Sequence, residues 1–135
     1  MTNTLVNASA DLAGVRLPRA PKWTLTGGFT IKKELSSDWQ FQLSANARYT
    51  TNYDFYPAAL GPLQFARQKA YALVNMSADI RKNLGNGDRA FSIGVYANNV
   101  TDTRYFYQKN TQATFGLSDI VAEPIGYGVR TSITF

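Results

Sequence analysis

The sequence of 135 residues contains no Cys and no His. The missing thiols exclude disulfides and thiolate metal sites, and the missing imidazoles remove the most frequent general base and metal ligand. Nucleophilic centres of the Ser-His and Cys-His kinds are therefore excluded. The sequence also has no phosphate-binding loop and no carboxylate pair at catalytic spacing. We expect neither enzymatic activity nor a cofactor or metal site.

Charged residues are scarce as well, at 17% of the chain with a net charge of +5. The fourteen Lys and Arg are scattered in ones and twos, without interleaved stacking aromatics, so we expect no nucleic-acid partner. No run approaches the roughly 18 apolar residues of a membrane helix, and the first residues do not have the pattern of a signal peptide. A chain of this kind can cross a membrane only with strands.

The sequence is rich in strict alternation of apolar and polar residues. In "WQFQLSANARYT", residues 39–50, the odd positions are apolar or aromatic and all even positions are polar. This period of two is typical of a β-strand with one dry and one wet face. The same pattern predicts further strands, over 22–34, 70–82, 89–98, 125–135 and, as a sixth, 3–10.

The lengths of the strands favour a membrane barrel over a soluble sheet. Five of the predicted strands have ten to thirteen residues, counted from these bounds. Soluble strands average about five or six residues, whereas a tilted strand needs about nine to eleven to cross a bilayer. The predicted fold is all-β, an antiparallel meander of five to six long strands that is part of a larger transmembrane β-barrel.

The connections between the strands alternate in length. Those at 35–38 and 83–88 are short, and those at 53–68 and 101–122 are long. Outer-membrane barrels have short periplasmic turns and long external loops. The turn "NLGNGD" also supplies the Gly and Asn that a tight hairpin needs for positive φ.

The side chains can be assigned to the two surfaces of such a barrel. Apolar residues would face lipid, with aromatic residues near the strand ends forming a girdle at the level of the headgroups. The residues assigned to the girdle are Trp23, Trp39, Tyr49, Tyr53, Tyr71, Tyr105, Tyr127 and Phe135. Polar residues would face an aqueous lumen, and the inward charges available for ion pairs there are Arg48, Asp79, Arg81 and Arg130. The inward glycines Gly126 and Gly128 would leave room where another group packs closely.

Three motifs carry a resemblance to a known family. "GVRLPRAPKW" (14–23), "NNVTDTRYF" (98–106) and "EPIGYGVRTSITF" (123–135) resemble the C-terminal barrel segments of TonB-dependent outer-membrane receptors. The matching positions are Gly14, Leu17, Pro18 and Pro21; Asn99, Val100, Asp102 and Tyr105; and Glu123, Pro124 and Phe135. Val100 stands where the family usually has Leu, and Ile125 stands where it often has Arg.

The resemblance implies energised uptake of a scarce, bulky nutrient such as an iron siderophore across the outer membrane of a Gram-negative cell. Residues 1–135 would be the C-terminal portion of the barrel, and the plug domain and most of the family's roughly 22 strands would lie outside them. The inward charges could then pair with that plug instead of with each other. The expected partners are outer-membrane lipid, the barrel-assembly machinery, a siderophore-like ligand and, only through the missing plug, the TonB complex. An open sheet of five or six strands would also leave costly unpaired edges in hydrocarbon.

Two groups of site residues follow from this resemblance. The expected ligand contacts in the external loops are Tyr53, Phe55, Tyr56, Tyr107 and Lys109, although loop packing is an alternative role for each. The expected signal for the barrel-assembly machinery consists of Tyr127, Val129, Ile133 and Phe135. Alternatively, Phe135 is only the last lipid-facing side chain.

Two other interpretations of the whole chain stay open. A soluble lipocalin-like β module that binds an apolar ligand would enclose its apolar face within one chain. An outer-membrane enzyme is disfavoured because such barrels rely on His.

Overall fold

The computed structural model describes residues 13, 14, 16–56, 66–85, 89–112 and 116–135. Its strands in chain order are β1 (Thr24–Glu34), β2 (Trp39–Thr50), β3 (Tyr53–Asp54), β4 (Arg67–Gln68), β5 (Tyr71–Asn83), β6 (Ala90–Asn98), β7 (Phe106–Gln112), β8 (Gly116–Val121) and β9 (Gly126–Thr134). Within these residues no helix is long and apolar enough to cross a membrane.

The five long strands form one antiparallel sheet in the order β1-β2-β5-β6-β9. The predicted all-β meander is therefore confirmed, and the bounds of its five strands agree with the predicted ones to within two residues. The strand predicted over 3–10 lies outside the described residues. Strands β3 and β4 pair with each other, as do β7 and β8, in two small additional hairpins.

The sheet has two unlike ends. Its turn-side end carries the connections 35–38 and 84–89, and its loop-side end carries the connections 51–70 and 99–125. The predicted alternation of short and long connections is confirmed. In the second short turn, Gly85 has φ +91°, in agreement with the predicted need for glycine there. The hairpin β7–β8 within the second long connection was not predicted, because its mostly polar sequence does not alternate clearly.

The register separates apolar from polar residues across all five strands. One row runs Ile31, Leu43, Ala78, Val95 and Val129, each residue directly opposite the next. The apolar face consists of the odd-numbered residues of β1, β2, β6 and β9 and the even-numbered residues of β5. The polar face consists of the other residues of these strands. Both faces arise because side chains alternate along each strand and the pairing register aligns the apolar positions of neighbouring strands.

The apolar face is open rather than enclosed. Phe29 and Val129 expose 53% and 66% of their surface, and Ile93 exposes 45%. The described hydrophobic residues that are buried lie elsewhere and are Phe55, Ala66, Ala90 and Ala122. The described residues therefore do not form the enclosed apolar interior that a soluble ligand-binding module requires.

The aromatic residues divide into two groups, which corrects part of the girdle assignment. Trp39 and Tyr49 lie at opposite ends of the apolar face of β2. Tyr71 lies instead opposite Thr50 on the polar face, where its ring stacks on Tyr105 with centroids 4.5 Å apart. Tyr53 belongs to the small strand β3. Tyr53, Tyr71 and Tyr105 were misassigned because proximity to a strand end does not specify the face.

The register can be tested with cysteine pairs, since the chain has no Cys of its own. Ala47→Cys with Val74→Cys places two thiols directly opposite each other on one face, at a Cα spacing that a disulfide tolerates. We expect this pair to form a disulfide on mild oxidation, measured as a mobility shift on a non-reducing gel. The control, Ala47→Cys with Leu73→Cys, places the thiols on opposite faces. Faster cross-linking of the control pair would contradict the register.

Candidate functional site

The polar face is held together by hydrogen bonds between neighbouring strands. Thr30 and Ser44 link β1 to β2, with their hydroxyl oxygens 3.1 Å apart. The Asn75 amide donates to Asn46 at 3.0 Å, and the hydroxyls of Ser92 and Ser132 lie 2.7 Å apart. Such cross-strand pairs stabilise one register and keep polar atoms paired with one another.

An ion pair crosses this face from β5 to β9. The row Lys32, Gln42, Asp79, Gly94 and Arg130 places Gly94 of β6 directly between Asp79 and Arg130. The Arg130 Nε donates to Asp79 Oδ1 at 2.7 Å, and a second guanidinium nitrogen pairs with Asp79 Oδ2. The predicted pairing of inward charges is thus confirmed for Asp79 and Arg130, and the bidentate geometry gives the pair a defined orientation. Arg48 and Arg81 form no ion pair with another described residue.

Gly94 makes this ion pair possible because it has no side chain. A Cβ at Gly94 would lie 2.0 Å from Asp79 Oδ1 and 2.9 Å from the carbonyl oxygen of Ala78. Gly128 has a similar role, since a Cβ there would lie 2.6 Å from the hydroxyl of Tyr96. The predicted close packing is thus confirmed at Gly128 but wrong at Gly126, where a Cβ would meet nothing within 4 Å.

A shallow hollow of about 360 Å³ lies on the polar face toward the loop-side end. Its polar lining includes Ser44, Asn46, Asn75, Tyr96 and Arg130. The lining is therefore rich in amides and hydroxyls. Its one guanidinium is already paired with Asp79, so the hollow favours neutral hydrogen-bonding groups over free ions.

Asn99 ties the loop-side end of the sheet together. Its backbone N–H donates to Asn75 Oδ1 at 2.9 Å, and its side-chain oxygen accepts from the Thr103 N–H at 3.0 Å. Its side-chain amide donates to the carbonyl oxygens of Thr103 and Glu123. Asn99 has φ +50°, a left-handed conformation that Asn tolerates better than most residues. Through its backbone N–H and its side chain, this one buried residue thus connects β5 to both ends of the second long connection.

Asp102 and Tyr105 extend this connection. The Ile125 N–H donates to Asp102 Oδ1 at 3.2 Å, and the Ala122 N–H donates to the Tyr105 carbonyl at 2.8 Å. The second and third family motifs therefore meet in space through Asn99, Asp102 and the segment that begins at Glu123. Their roles in this structure are to close the base of a loop.

The first motif packs against the other small hairpin. Gly14 has φ +74°, and Leu17 exposes 74% of its surface. The Arg19 N–H donates to the Asp54 carbonyl at 2.7 Å, and the Arg19 guanidinium lies 5.7 Å from the ring centre of Phe55. The turn that contains Pro18 and precedes Pro21 thus holds the hairpin β3–β4 against the start of β1.

The two small hairpins are linked by Gln68 and a tyrosine cluster. Gln68 is buried, and its Oε1 accepts from the Phe106 N–H at 2.9 Å. Tyr105 stacks on Tyr71, and its hydroxyl donates to that of Tyr107. Burial and then the hydrogen bond to Tyr107 raise the pKa of Tyr105 above its ordinary value. The raised pKa extends the protonated, hydrogen-bond-donating form of Tyr105 further into the alkaline range.

The residues predicted to contact ligand differ in how far they are exposed. Tyr107 exposes 55% of its surface, Tyr53 and Tyr56 are half-buried, and Phe55 exposes only 4%. Lys109 Nζ lies 3.2 Å from Asp119 Oδ2 and 3.7 Å from the ring centre of Phe106. Tyr107 is the member of the set with the most accessible side chain. Ligand contact at all five positions stays a prediction.

The residues predicted to form the assembly signal share one exposed surface. Tyr127, Val129 and Ile133 lie on the apolar face of β9, and Phe135 follows that strand with 93% of its surface exposed. Strand β9 has β6 on one side and no described strand on the other. Recognition of these side chains by the assembly machinery stays a prediction.

The apolar face has the dimensions of a hydrocarbon layer. On β2 the rings of Trp39 and Tyr49 are ten residues apart, which corresponds to roughly 33 Å along a strand. At the tilt of about 35–45° that is typical of transmembrane strands, the height becomes about 25 Å. Between these two rings the apolar face of β2 carries no charged residue.

Comparison with known proteins agrees with this geometry. The family model described as TonB dependent receptor-like, beta-barrel matches residues 2–100, which is most of the chain. The chain belongs to this receptor family. No curated protein and no solved structure matches it. The match includes the first motif and ends within the second.

Membership of the family places the receptor chain in a broad functional class. The members are outer-membrane receptors for TonB-dependent transport, and the family is not one of enzymes. A barrel wall has one surface toward lipid and one toward the lumen, and the apolar and polar faces of the sheet suit these two surfaces. TonB and a transported ligand are partners of the family in general.

Several residues that stabilise this structure were not predicted from the sequence. Gly94 was not predicted to have a role. Its position between the inward polar residues Ser92 and Tyr96 could have indicated a glycine on the polar face. Asn75 and Gln68 were also missed. Their contacts join residues 24 and 38 positions apart, and no local pattern specifies such contacts.

Substitution of Gly94 tests the ion pair of the receptor wall. We expect Gly94→Ala to lower stability by about 1–3 kcal/mol, because the added methyl group would collide with Asp79 and the backbone of β5. The measurement is the urea midpoint of the complete receptor in detergent micelles. Gly27→Ala is the matched control, since a Cβ there would meet nothing within 4 Å. Equal midpoints for the two variants would refute this account of Gly94.

Substitution of Asn99 tests the loop closure. Asn99→Ala removes four side-chain hydrogen bonds and leaves partly buried backbone groups of Thr103 and Glu123 unpaired, each at a cost of up to about 1–3 kcal/mol. We expect the Thr103 amide to exchange with deuterium at least about tenfold faster, measured by mass spectrometry. In the control Asn98→Ala, the lost amide has no hydrogen bond within the described residues, so exchange at Thr103 should not change. Similar protection in both variants would argue against a closing role for Asn99.

Proposed function

We propose that this chain forms part of the wall and external loops of a receptor that takes up a scarce, bulky nutrient, an iron siderophore, with energy supplied through TonB. The observation that carries the proposal is the combination of two unlike faces with aromatic loops at one end. The apolar face suits lipid, and the polar face suits a water-filled lumen. The hairpins at the loop-side end provide an accessible surface where a ligand would first meet the receptor.

The orientation of the wall follows from its connections. The short turns 35–38 and 84–89 are placed at the periplasmic rim, and the hairpins β3–β4 and β7–β8 at the external rim. A ligand would then approach from the side of Tyr107. The hollow beside Asn75 and Arg130 lies on the path from the loops into the lumen.

We also propose that residues 1–135 supply the C-terminal portion of a larger barrel. Strands β1 and β9 each leave one edge without a described partner strand. Unpaired N–H and C=O groups on these edges would cost several kcal/mol each in hydrocarbon. Further strands are therefore needed to complete the wall, and a plug domain outside these residues would contact TonB.

The end of the chain suits recognition during assembly. Tyr127, Val129, Ile133 and Phe135 present a continuous apolar surface beside a free strand edge. A free edge with regularly spaced anchor side chains is the arrangement that β-strand addition uses. We assign these four residues as the signal for the barrel-assembly machinery.

The ligand is expected to contact the exposed aromatic residues of the external loops. Tyr107 is outside the lipid-facing surface, and its ring packs edge-on against Tyr105. That contact holds one edge of the ring, while half of its surface stays accessible. Large, rigid and half-exposed aromatic side chains are well suited to bind bulky ligands at low entropic cost.

Binding of a ferric siderophore to the complete receptor tests this function. We expect Tyr107→Ala to weaken binding about fivefold or more, because truncation of an aromatic contact typically costs over about 1 kcal/mol. The measurement is equilibrium binding of radiolabelled ferric siderophore to outer membranes. The control Tyr49→Ala removes an exposed tyrosine on the apolar face of β2 and should leave affinity unchanged.

Two results would count against the proposal at different levels. Unchanged affinity in Tyr107→Ala would remove Tyr107 from the ligand site. Uptake that is dependent on TonB but concerns a ligand other than a ferric siderophore would overturn the choice of ligand and leave the transport function intact.

A further inference from the structure

Two lysines interrupt the otherwise uncharged apolar face. Among the described residues of the five long strands, Lys33 of β1 and Lys82 of β5 are the charged side chains on this face. Lys33 lies opposite Phe41, and Lys82 lies opposite Trp39. A charge on the surface that faces lipid is unfavourable unless it reaches a polar region. The position of these two lysines therefore needs an explanation.

Both lysines lie close to the turn-side end. Lys33 is the penultimate residue of β1, and Lys82 is the penultimate residue of β5. The cost of a lipid-facing Lys falls steeply from the bilayer centre toward the interface, and the long side chain reaches the headgroups while its methylenes stay in contact with apolar groups. The two lysines thus lie at the depth where lipid phosphates are found.

The surroundings of the lysines suit an amphipathic partner. Lys82 Nζ lies 5.2 Å from the ring centre of Trp39, and Lys82 also lies opposite Phe91 of β6. Neither lysine takes part in an ion pair with another described residue. Their positive charges are therefore available to an external anion, with apolar and aromatic side chains directly beside them.

The other end of the same face has a different composition. Toward the loop-side end the apolar face carries Leu25, Tyr49, Ala72 and Tyr127, and the described strand residues there include no charge. The positive charge is thus confined to one rim of the wall. A partner that recognises it belongs to one leaflet of the membrane.

We propose that Lys33 and Lys82, together with Trp39, bind the phosphodiester headgroups of anionic glycerophospholipids in the leaflet on the turn side of the wall. The inference rests on the proposed function, because it requires the apolar face to contact lipid. The lysines lie on the two strands that flank β2, about 10 Å apart across the sheet. Phe41 and Phe91 beside them would pack against the acyl chains, which a free phosphate ion does not possess.

Tryptophan quenching by brominated lipids tests this site. Residues 1–135 have two Trp, so in the complete receptor Trp23→Phe, with Phe also in place of any Trp outside these residues, leaves Trp39 as the one fluorescent reporter, beside Lys82. This Trp23→Phe chain is folded in vesicles of phosphatidylcholine mixed with phosphatidylglycerol, and either lipid is brominated in turn. The ratio of the two quenching efficiencies gives the relative binding constant of the anionic lipid at Trp39. We expect this constant to be several-fold above one, with a factor of up to about five from each lysine.

The alternation of faces supplies matched variants. Lys33→Gln with Lys82→Gln should bring the relative constant close to one, whereas Lys33→Arg with Lys82→Arg should retain the preference. Lys32→Gln with Arg81→Gln removes the same amount of charge from the adjacent positions on the polar face. This control should keep the preference of the Trp23→Phe chain. High salt should weaken the preference, since exposed charges are screened.

The outcomes separate this inference from the proposed function. Equal quenching by the two lipids in the Trp23→Phe chain, or equal loss in the control variant, would overturn the headgroup site while the lipid-facing wall stands. If neither brominated lipid quenches Trp39, the lipid-facing assignment fails, and the headgroup site fails with it.

Discussion

The structure depends on the pairing register that aligns the apolar positions of its five long strands. The row from Ile31 through Leu43, Ala78 and Val95 to Val129 stays apolar only because each strand pair has one particular register. A slip of one residue would turn the side chains of a strand to the opposite face. In a wall between lipid and water, such a slip would place lumen-facing charges in hydrocarbon.

Two kinds of interaction hold this register. At the turn side, backbone bonds close the hairpins, such as Leu35 N–H to the Trp39 carbonyl at 2.9 Å. Across the polar face, Arg130 reaches over Gly94 to Asp79 and so fixes β5, β6 and β9 relative to one another. The turns constrain neighbouring strands, and the ion pair constrains strands that are not neighbours. Gly94 of the middle strand, β6, leaves the space that this ion pair needs.

The loop-side end of the sheet supports the small hairpin β7–β8. The amides of Asn46, Asn75 and Asn99 form a continuous series from the lumen-facing surface to the second long connection. Asn99 then binds both the start of that connection and its end at Glu123. These hydrogen bonds therefore connect the polar face of the sheet to both ends of the segment that contains the hairpin β7–β8.

The sequence by itself determined the class of fold, the five strands to within two residues, the two faces and the alternation of short and long connections. These features are local, because side chains alternate along any extended strand whatever its neighbours. The family motifs were equally visible, but their contacts were not. That Asn99 meets Glu123, that Asp79 meets Arg130 51 positions away, and that Tyr71 and Tyr105 stack beside the lumen face were decided by the tertiary structure. The burial of Phe55 under Arg19 was decided in the same way. Each of these depends on which strands become neighbours and in what register, and residues far apart in the chain acquire that relation only when the sheet forms.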